Sequence, residues 1–197
     1  MREYRVATLE RVAEALDVRL DLIPRWHGGD LDRMLNAGHA ALHETVARLL
    51  GSHGWLLAPE ATFSVYGERG AIDVLAIHPS LGVLLVVELK TQIVDVEGLI
   101  GAVDRYRRRA PGIARDRGWA PLSVAATWVA VRDTPTNRRR LAAHAFTLRA
   151  AFPDDGRTVR GWLARPEGPL DALSFLSDSH TTTVSAAASG VKRVRRA

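Results

Sequence analysis

The chain has 197 residues, of which 47% are hydrophobic, with no cysteine and with 27 Lys and Arg against 22 Asp and Glu. This length predicts one domain of ordinary size with room for a short appendage, and the apolar content excludes disorder throughout. The lack of cysteine excludes a disulfide framework, thiolate zinc sites and a cysteine nucleophile.

The sequence contains no candidate membrane segment. Its longest apolar run, Leu81 to Val87, is too short to cross a bilayer of about 30 Å as a helix. The first residues, Met1 to Arg5, lack the apolar stretch of a signal peptide. We therefore expect a cytoplasmic protein without membrane contact.

Basic charge is concentrated at the end of the chain. Residues 179–197 contain no acid and four basic residues, which supply +4 of the net charge of +5: Lys192, Arg193, Arg195 and Arg196. We expect a disordered basic tail here, and two interpretations stay open, contact with nucleic-acid phosphates or simple solvation. Residues 1–178 contain 22 arginines but a single lysine, Lys90.

The first 30 residues predict a short helix, a strand and a linker. Apolar residues recur at helical spacing from Leu9 to Leu16 after Thr8, a candidate N-cap, and alternation from Arg19 to Ile23 predicts a strand that ends at Pro24. This segment resembles the closing helix of a lambda-repressor-like helix-turn-helix domain and the strand that often follows it. The resemblance implies a remnant that lacks the helices that would enter the major groove of DNA. We therefore do not assign sequence-specific DNA recognition to this segment.

A long helix is predicted over residues 31–51, capped by Asp30. The elements predicted after it are, in chain order, strands at 55–65, 71–78 and 83–90, a helix that starts at Val96, a strand at 122–131, a helix introduced by Pro135 and extending to Phe152, a weak strand at 159–164 and a short helix at 170–176. This order predicts an α/β domain over residues 31–178, with a mixed β-sheet flanked by helices.

The hairpin formed by strands 71–78 and 83–90 carries the most informative polar residues. If residues 79–82 form the loop, paired positions sum to 161, which places Asp73 directly opposite Glu88 on one face of the sheet. Lys90 follows Glu88 by two residues and therefore points the same way, and Gln92 extends that row. The strands are otherwise apolar on both faces, as expected when both faces are covered.

Two facing carboxylates in apolar surroundings repel each other unless a cation lies between them. Mg²⁺ or Mn²⁺ suits this position, because hard cations take carboxylate oxygens and keep waters for a phosphate substrate. An adjacent ammonium from Lys90 can orient a water or neutralise charge that develops on phosphate. The alternative interpretation is a structural ion pair at the sheet edge, since the same residues also form such pairs.

Two short sequences resemble the core of PD-(D/E)XK nucleases: Gly-Ala-Ile-Asp-Val-Leu-Ala at 70–76 and Val-Val-Glu-Leu-Lys-Thr at 86–91. They are most similar to the Holliday-junction-resolvase-like branch of this restriction-endonuclease-like superfamily, over about residues 31–132. The resemblance implies a restriction-endonuclease-like fold, metal ligation by Asp73 and Glu88 with the Leu89 carbonyl as third ligand, and Lys90 as the catalytic lysine. Ile72 replaces the proline of the family name.

Many members of this superfamily add a catalytic glutamate on the preceding helix, and Glu44 matches that position. Glu44 lies almost opposite the apolar stripe of the predicted helix, so it reaches the site only if the alanine-rich face packs on the sheet. Glu60, on the first strand, is the competing candidate. His39 and His43, four residues apart, suit two zinc ligands, but the sequence shows no third.

An arginine cluster follows the motif on the predicted helix, around Tyr106: Arg105, Arg107, Arg108 and Arg109. These side chains, with Gln92, either follow a nucleic-acid backbone or form a solvated face partly paired with Asp104. The sequence therefore predicts a Mg²⁺- or Mn²⁺-dependent DNA endonuclease, and by analogy with other nucleases a homodimer. The alternative is a non-catalytic DNA-binding or regulator-associated protein with the same fold.

Overall fold

The computed structural model describes residues 8, 11, 14–16, 29–65, 67–122 and 125–177, with side chains described only from Ala37 onward in the first helix below. The chain divides into two compact units, Met1–Met34 and Leu35–Ala197. In the first unit Thr8, Arg11, Glu14 and Ala15 are helical. The predicted strand at 19–23 and the predicted basic tail lie outside the described residues.

The described part of the chain contains five helices and five strands. In chain order they are α1 Gly29–Gly51, β1 Leu56–Val65, β2 Glu68–His78, β3 Val83–Lys90, α2 Val96–Asp116, β4 Ala126–Arg132, α3 Pro135–Ala143, α4 Ala145–Ala151, α5 Gly156–Ala164 and β5 Asp171–Leu176.

The five strands form one mixed sheet in the order β1-β2-β3-β4-β5. The first three strands are antiparallel neighbours, as short turns permit, and β4 and β5 add parallel to β3 after helical crossovers. The predicted α/β class with a mixed, helix-flanked sheet is confirmed.

Helices cover both faces of the sheet, which explains why its central strands are apolar throughout. On one face Leu42, Val46 and Leu50 of α1 are buried in one cluster with Val74 of β2 and Val87 of β3. On the other face the second half of α2 packs in a cluster with the next residues along the same strands, Leu75, Ile77, Leu84 and Val86, and with Ile72. Helix α1 therefore turns its leucine and valine stripe, and not its alanine-rich face, to the sheet.

Helix α2 begins next to the end of β3, which brings its first turns to the candidate site. Asp95 caps it, because the Asp95 side chain accepts a hydrogen bond of 2.9 Å from the Gly98 N–H. A Cβ on residue 98 would lie 2.2 Å from an Asp95 carboxylate oxygen, so any other residue there would shift the Asp95 side chain from its present position.

Two short predicted elements near the end of the domain are wrong in type. Residues 159–164, predicted as a strand, belong to helix α5, whose N-cap Asp155 accepts from two backbone N–H groups and whose buried residues Val159, Trp162 and Leu163 follow helical spacing. Residues 170–176, predicted as a helix, instead form β5, because pairing with β4 satisfies their backbone. The helix predicted from Pro135 to Phe152 is two helices, α3 and α4, interrupted at His144.

No helix in residues 29–65, 67–122 and 125–177 is long and apolar enough to span a membrane.

Candidate functional site

The β2–β3 pairing ends at the position of the predicted acidic pair. Five pairs, from His78–Val83 to Val74–Val87, confirm the predicted register, whose positions sum to 161. Beyond Val74 the described part of β2, residues 68–72, pairs with β1 alone. The two strands therefore fork at Asp73 and Glu88, one step past the last pair.

The Asp73 side chain connects β2 to β3 at the point where the two strands separate. Its Oδ2 accepts a hydrogen bond of 2.7 Å from the backbone N–H of Leu89. The N–H and C=O of one strand residue point to the same neighbouring strand. The Leu89 carbonyl therefore lies on the Asp73 side of β3, which is compatible with the ligand role that the resemblance implies.

Glu88 and Lys90 form an ion pair on one side of β3, with 2.7 Å between Lys90 Nζ and Glu88 Oε1. Glu88 is buried, with 6% of its side chain exposed, whereas the Lys90 side chain is 34% exposed. Lys90 lies with Gln92 and the first turn of α2 along a cavity of about 380 Å³. The pair thus has a buried end and an end that solvent can reach.

The second oxygen of Glu88, Oε2, is buried and has no hydrogen-bond partner among the described residues. Such a buried carboxylate oxygen is unfavourable unless it meets a donor or a cation. Burial raises the pKa of Glu88, and the negative charge of Asp73 raises it further, whereas Lys90 acts in the opposite direction. A divalent cation here would offset both unfavourable effects, so the donor set fits Mg²⁺ or Mn²⁺.

Lys90 keeps its charge in this arrangement. Burial has the largest single effect and lowers the pKa of Lys90, but the charge of Glu88, its hydrogen bond to Lys90 and the charge of Asp73 act together against burial, so the pKa lies above its ordinary value. Tyr106 of α2 also acts on Lys90 in the same direction. The side chain is therefore an ammonium near neutral pH, suited to neutralising negative charge rather than to accepting a proton.

Glu44 is not brought to this pair. It stands on the exposed side of α1, with 64% of its side chain accessible, and lies 3.6 Å from Arg48. The packing of Leu42 and Val46 on the sheet excludes the arrangement under which Glu44 would face the site. Across the described residues, no three Asp, Glu or His side chains are close enough to hold one metal ion together.

Glu60, the competing candidate, occupies an unusual place in β1. It falls between the pairs Pro59–Val74 and Ala61–Ile72, so it is opposite Asp73, and its φ of +45° lies in the left-handed region. Its side chain does not complete a ligand set with Asp73 and Glu88 but lines a separate cavity against α1.

Three of the four clustered arginines are engaged within the chain. Arg107 donates to the Ala125 carbonyl and, at 2.5 Å, to Asp171. Arg108 pairs with Asp104, and Arg109 donates to Glu68 at 2.6 and 2.9 Å. These contacts use some of the donors that the sequence assigned to a nucleic-acid backbone, and they leave other N–H groups of each guanidinium unused by the contacts named here.

Arg105 differs from the other members of the cluster. Its guanidinium carbon lies 5.4 Å from the centre of the Tyr106 ring, and its buried Nε has no partner in the part of the chain that the structure describes. Arg105 therefore keeps a free donor on the helix that also carries Tyr106.

The environment of Glu88 includes a residue that the motif did not indicate. The charge of His39 on α1 acts on Glu88 and lowers its pKa, against the larger effect of burial. The sequence offered only the i, i+4 spacing of His39 and His43 as a signal for this residue.

Comparison of the chain with family models, curated proteins and solved structures finds no match.

Proposed function

We propose that this protein is a metal-dependent, nuclease-like hydrolase of DNA phosphodiester bonds, of the PD-(D/E)XK kind that its motif resembles. One observation carries the proposal: Asp73, Glu88 and Lys90 meet where β2 and β3 fork, and a buried oxygen of Glu88 lacks a partner among the described residues. A purely structural ion pair would be expected to have both carboxylate oxygens satisfied.

The proposal assigns a separate role to each side chain. Asp73 and Glu88, with the Leu89 carbonyl, would hold Mg²⁺ or Mn²⁺. When bound, such an ion supplies Lewis-acid activation of the phosphodiester and of water. Lys90, charged and partly exposed, would neutralise charge on the phosphate and orient the attacking water.

DNA is the proposed substrate, although most of the predicted contact residues are engaged elsewhere. Gln92, which lies beside Lys90 along the cavity, is the member of the predicted set that supports contact with a phosphate backbone, whereas the unpaired Nε of Arg105 is buried. We also propose that the protein is cytoplasmic. A homodimer would allow both strands to be cut.

The test is cleavage of supercoiled plasmid with Mg²⁺ or Mn²⁺. We expect nicking by the wild type, and a loss of about a hundredfold or more in Asp73→Ala, Glu88→Gln and Lys90→Ala. Glu167→Gln is the matched control, because it makes the same chemical change at an exposed glutamate outside the site. Glu44→Gln should also retain activity, since Glu44 faces solvent.

Two results would contradict the proposal. Metal binding without cleavage would favour a non-catalytic DNA-binding protein with this fold. Neither metal binding nor cleavage would leave the Glu88–Lys90 contact as a structural ion pair.

A further inference from the structure

Helices α3 and α4 carry positive charge that no acid of their own offsets. The segment 134–151, which contains both helices, has no Asp or Glu and four arginines: Arg138, Arg139, Arg140 and Arg149. Like charges at this density repel one another, so such a surface favours an anionic partner. The candidate site described above uses none of these four residues.

Two of the four arginines are engaged within the chain. Arg138 donates two hydrogen bonds to Asp133, at 2.6 and 2.8 Å, and its guanidinium carbon lies 4.9 Å from the centre of the Phe175 ring. Arg149 is partly buried and donates to three backbone carbonyls, each at 3.4 Å. These two side chains therefore serve the fold of the segment.

Arg139 and Arg140 are exposed and have no acidic partner. Arg139 donates to the Thr136 hydroxyl at 3.3 Å, and Nη1 of Arg140 lies 3.5 Å from the Val94 carbonyl oxygen. No carboxylate in the described part of the chain pairs with either of them. Because a guanidinium has five N–H donors, both keep donors for a ligand, and unlike the paired arginines of α2 they face no competing carboxylate.

The first turn of α3 is fixed to the chain segment that follows Lys90. Asn137 is fully buried, and its side-chain amide accepts a hydrogen bond from the Ile93 N–H at 3.1 Å and donates one to the Thr91 carbonyl at 2.9 Å. Thr91 directly follows Lys90. The helix therefore cannot move away from the candidate site without breaking buried hydrogen bonds.

Arg140 lies at the rim of the cavity that contains Lys90. The residue whose carbonyl it approaches, Val94, lines that cavity together with Lys90 and Gln92. DNA carries a phosphate at every nucleotide, so a strand with one phosphate at Lys90 presents further phosphates to the surface beside it. Both the charge of this surface and its position are complementary to such a strand.

We propose that Arg139 and Arg140 bind the phosphate backbone of a DNA strand that lies along the Lys90 cavity. The inference rests on the proposed function for its substrate class, and it names the surface that holds this substrate. Both guanidinium groups stay charged at neutral pH. Phosphate contacts position a strand without reading its bases, so the surface should bind DNA of any sequence.

The test is binding of a short fluorescein-labelled DNA duplex to the full chain, measured by anisotropy at several salt concentrations. EDTA is present throughout, so that cleavage cannot occur. We expect the double variant Arg139→Gln, Arg140→Gln to bind about tenfold more weakly or worse, and its slope of log Kd against log salt to fall by about 1 for each arginine. The double variant Arg139→Lys, Arg140→Lys keeps both charges and should retain most of that slope.

The matched control is the double variant Arg157→Gln, Arg160→Gln, which removes the same charge from two exposed arginines of α5. Helix α5 packs in the cluster that includes Trp128 of β4, whereas α3 packs against the cluster that includes Val129, so the two helices cover opposite faces of the sheet. The control should bind DNA within about twofold of the wild type. Melting curves of all variants show whether each one is folded.

Three results would overturn the inference: no DNA binding by the wild type, unchanged affinity and slope in the α3 glutamine variant, or an equal loss in the α5 control. The nuclease proposal fails separately. Plasmid cleavage by the wild type with unchanged binding in the α3 variant would leave the nuclease and remove this surface. Loss of binding in the α3 variant, with no cleavage by the wild type, would retain the surface and remove the nuclease.

Discussion

Two buried polar residues at the ends of neighbouring elements, Asn137 and Glu88, differ in how completely they are hydrogen-bonded. Asn137, fully buried in the first turn of α3, accepts from the Ile93 N–H at 3.1 Å and donates to the carbonyls of Thr91 and Arg132 at 2.9 and 2.8 Å. Glu88 has its Lys90 contact on one oxygen and, among the described residues, no partner on the other.

This difference separates a structural role from a functional one. The amide of Asn137 holds backbone groups of Thr91, Ile93 and Arg132, the last residue of β4, and ties the segment after β3 to α3. The carboxylate of Glu88 ties nothing distant in sequence and keeps one oxygen for a ligand. Substitution of Asn137 should therefore lower stability more than activity, and substitution of Glu88 should lower activity more than stability.

The largest effect on stability is expected for Asn137→Ala. The change leaves three backbone groups without partners, at about 1 kcal/mol each, so the free energy of unfolding should fall by about 3 kcal/mol. Thermal melting should show a decrease of roughly 6–12 °C. Thr136→Ala, at the exposed neighbouring position, is the control. A decrease below about 2 °C for Asn137→Ala would show that the amide is not a structural tie.

Asp171→Asn should have a smaller effect. Asp171 accepts from Arg107 at 2.5 Å and from Thr127 at 2.6 Å, but its side chain is 27% exposed, so we expect a loss of about 1 kcal/mol. Asp104→Asn removes the exposed pair with Arg108 and should cost about 0.3–0.5 kcal/mol. Urea unfolding compares the two variants, and equal losses would contradict the distinction between them.

Glu88→Gln should change the free energy of unfolding by less than about 1 kcal/mol, although it removes a buried charge pair. The amide avoids the cost of burying a charge next to Asp73, and this gain offsets the lost contact with Lys90. Urea midpoints of this variant and of Asn137→Ala give the contrast directly. A loss above about 2 kcal/mol would assign Glu88 a structural role.

The smallest effect concerns an exposed carboxylate whose pKa shifts in the direction opposite to that of Glu88. Backbone hydrogen bonds from Thr158 and Arg157 hold the pKa of Asp155 below its ordinary value. The pKa of Asp155 is lower in the folded protein than in the unfolded chain. The stabilisation is therefore present above about pH 4 and is lost as the pH falls through the pKa of the folded protein. Melting curves of wild type and Asp155→Asn should therefore differ at pH 7 and converge near pH 2. A difference that persists at pH 2 would contradict the ionic cap.

The hairpin register and the bounds of β1 and β3 were predictable because they depend on local signals, whereas β2 begins three residues before, and β4 four residues after, the predicted start. The four-residue turn at 79–82 fixes the pairing of β2 with β3, and apolar residues mark both strands. The short elements at the end of the domain were not predictable in this way. The segment Asp171–Leu176 has no alternation because helices cover both of its faces, and Val159 and Trp162 favour strands although their spacing is helical.

The polar side chains of the site were only partly predictable. The helical wheel correctly set Glu44 opposite the apolar stripe, but the sequence did not show which face of α1 meets the sheet. The partners of Arg107 and Arg109, which are Asp171 and Glu68, are 64 and 41 residues away, so local spacing gives no indication of these pairs. The position of the fork at Asp73 likewise depends on which strands pair beyond Val74.

Glu60, whose backbone lies in the left-handed region, also affects the edge of the sheet that β1 forms. Among the described strands β1 is one of the two outer strands, so its free N–H and C=O groups form a template onto which another polypeptide could add. Pro59 offers no N–H, and Glu60 next to it leaves the extended conformation. These adjacent interruptions limit the length of regular edge available to an incoming strand and so protect the molecule against aggregation.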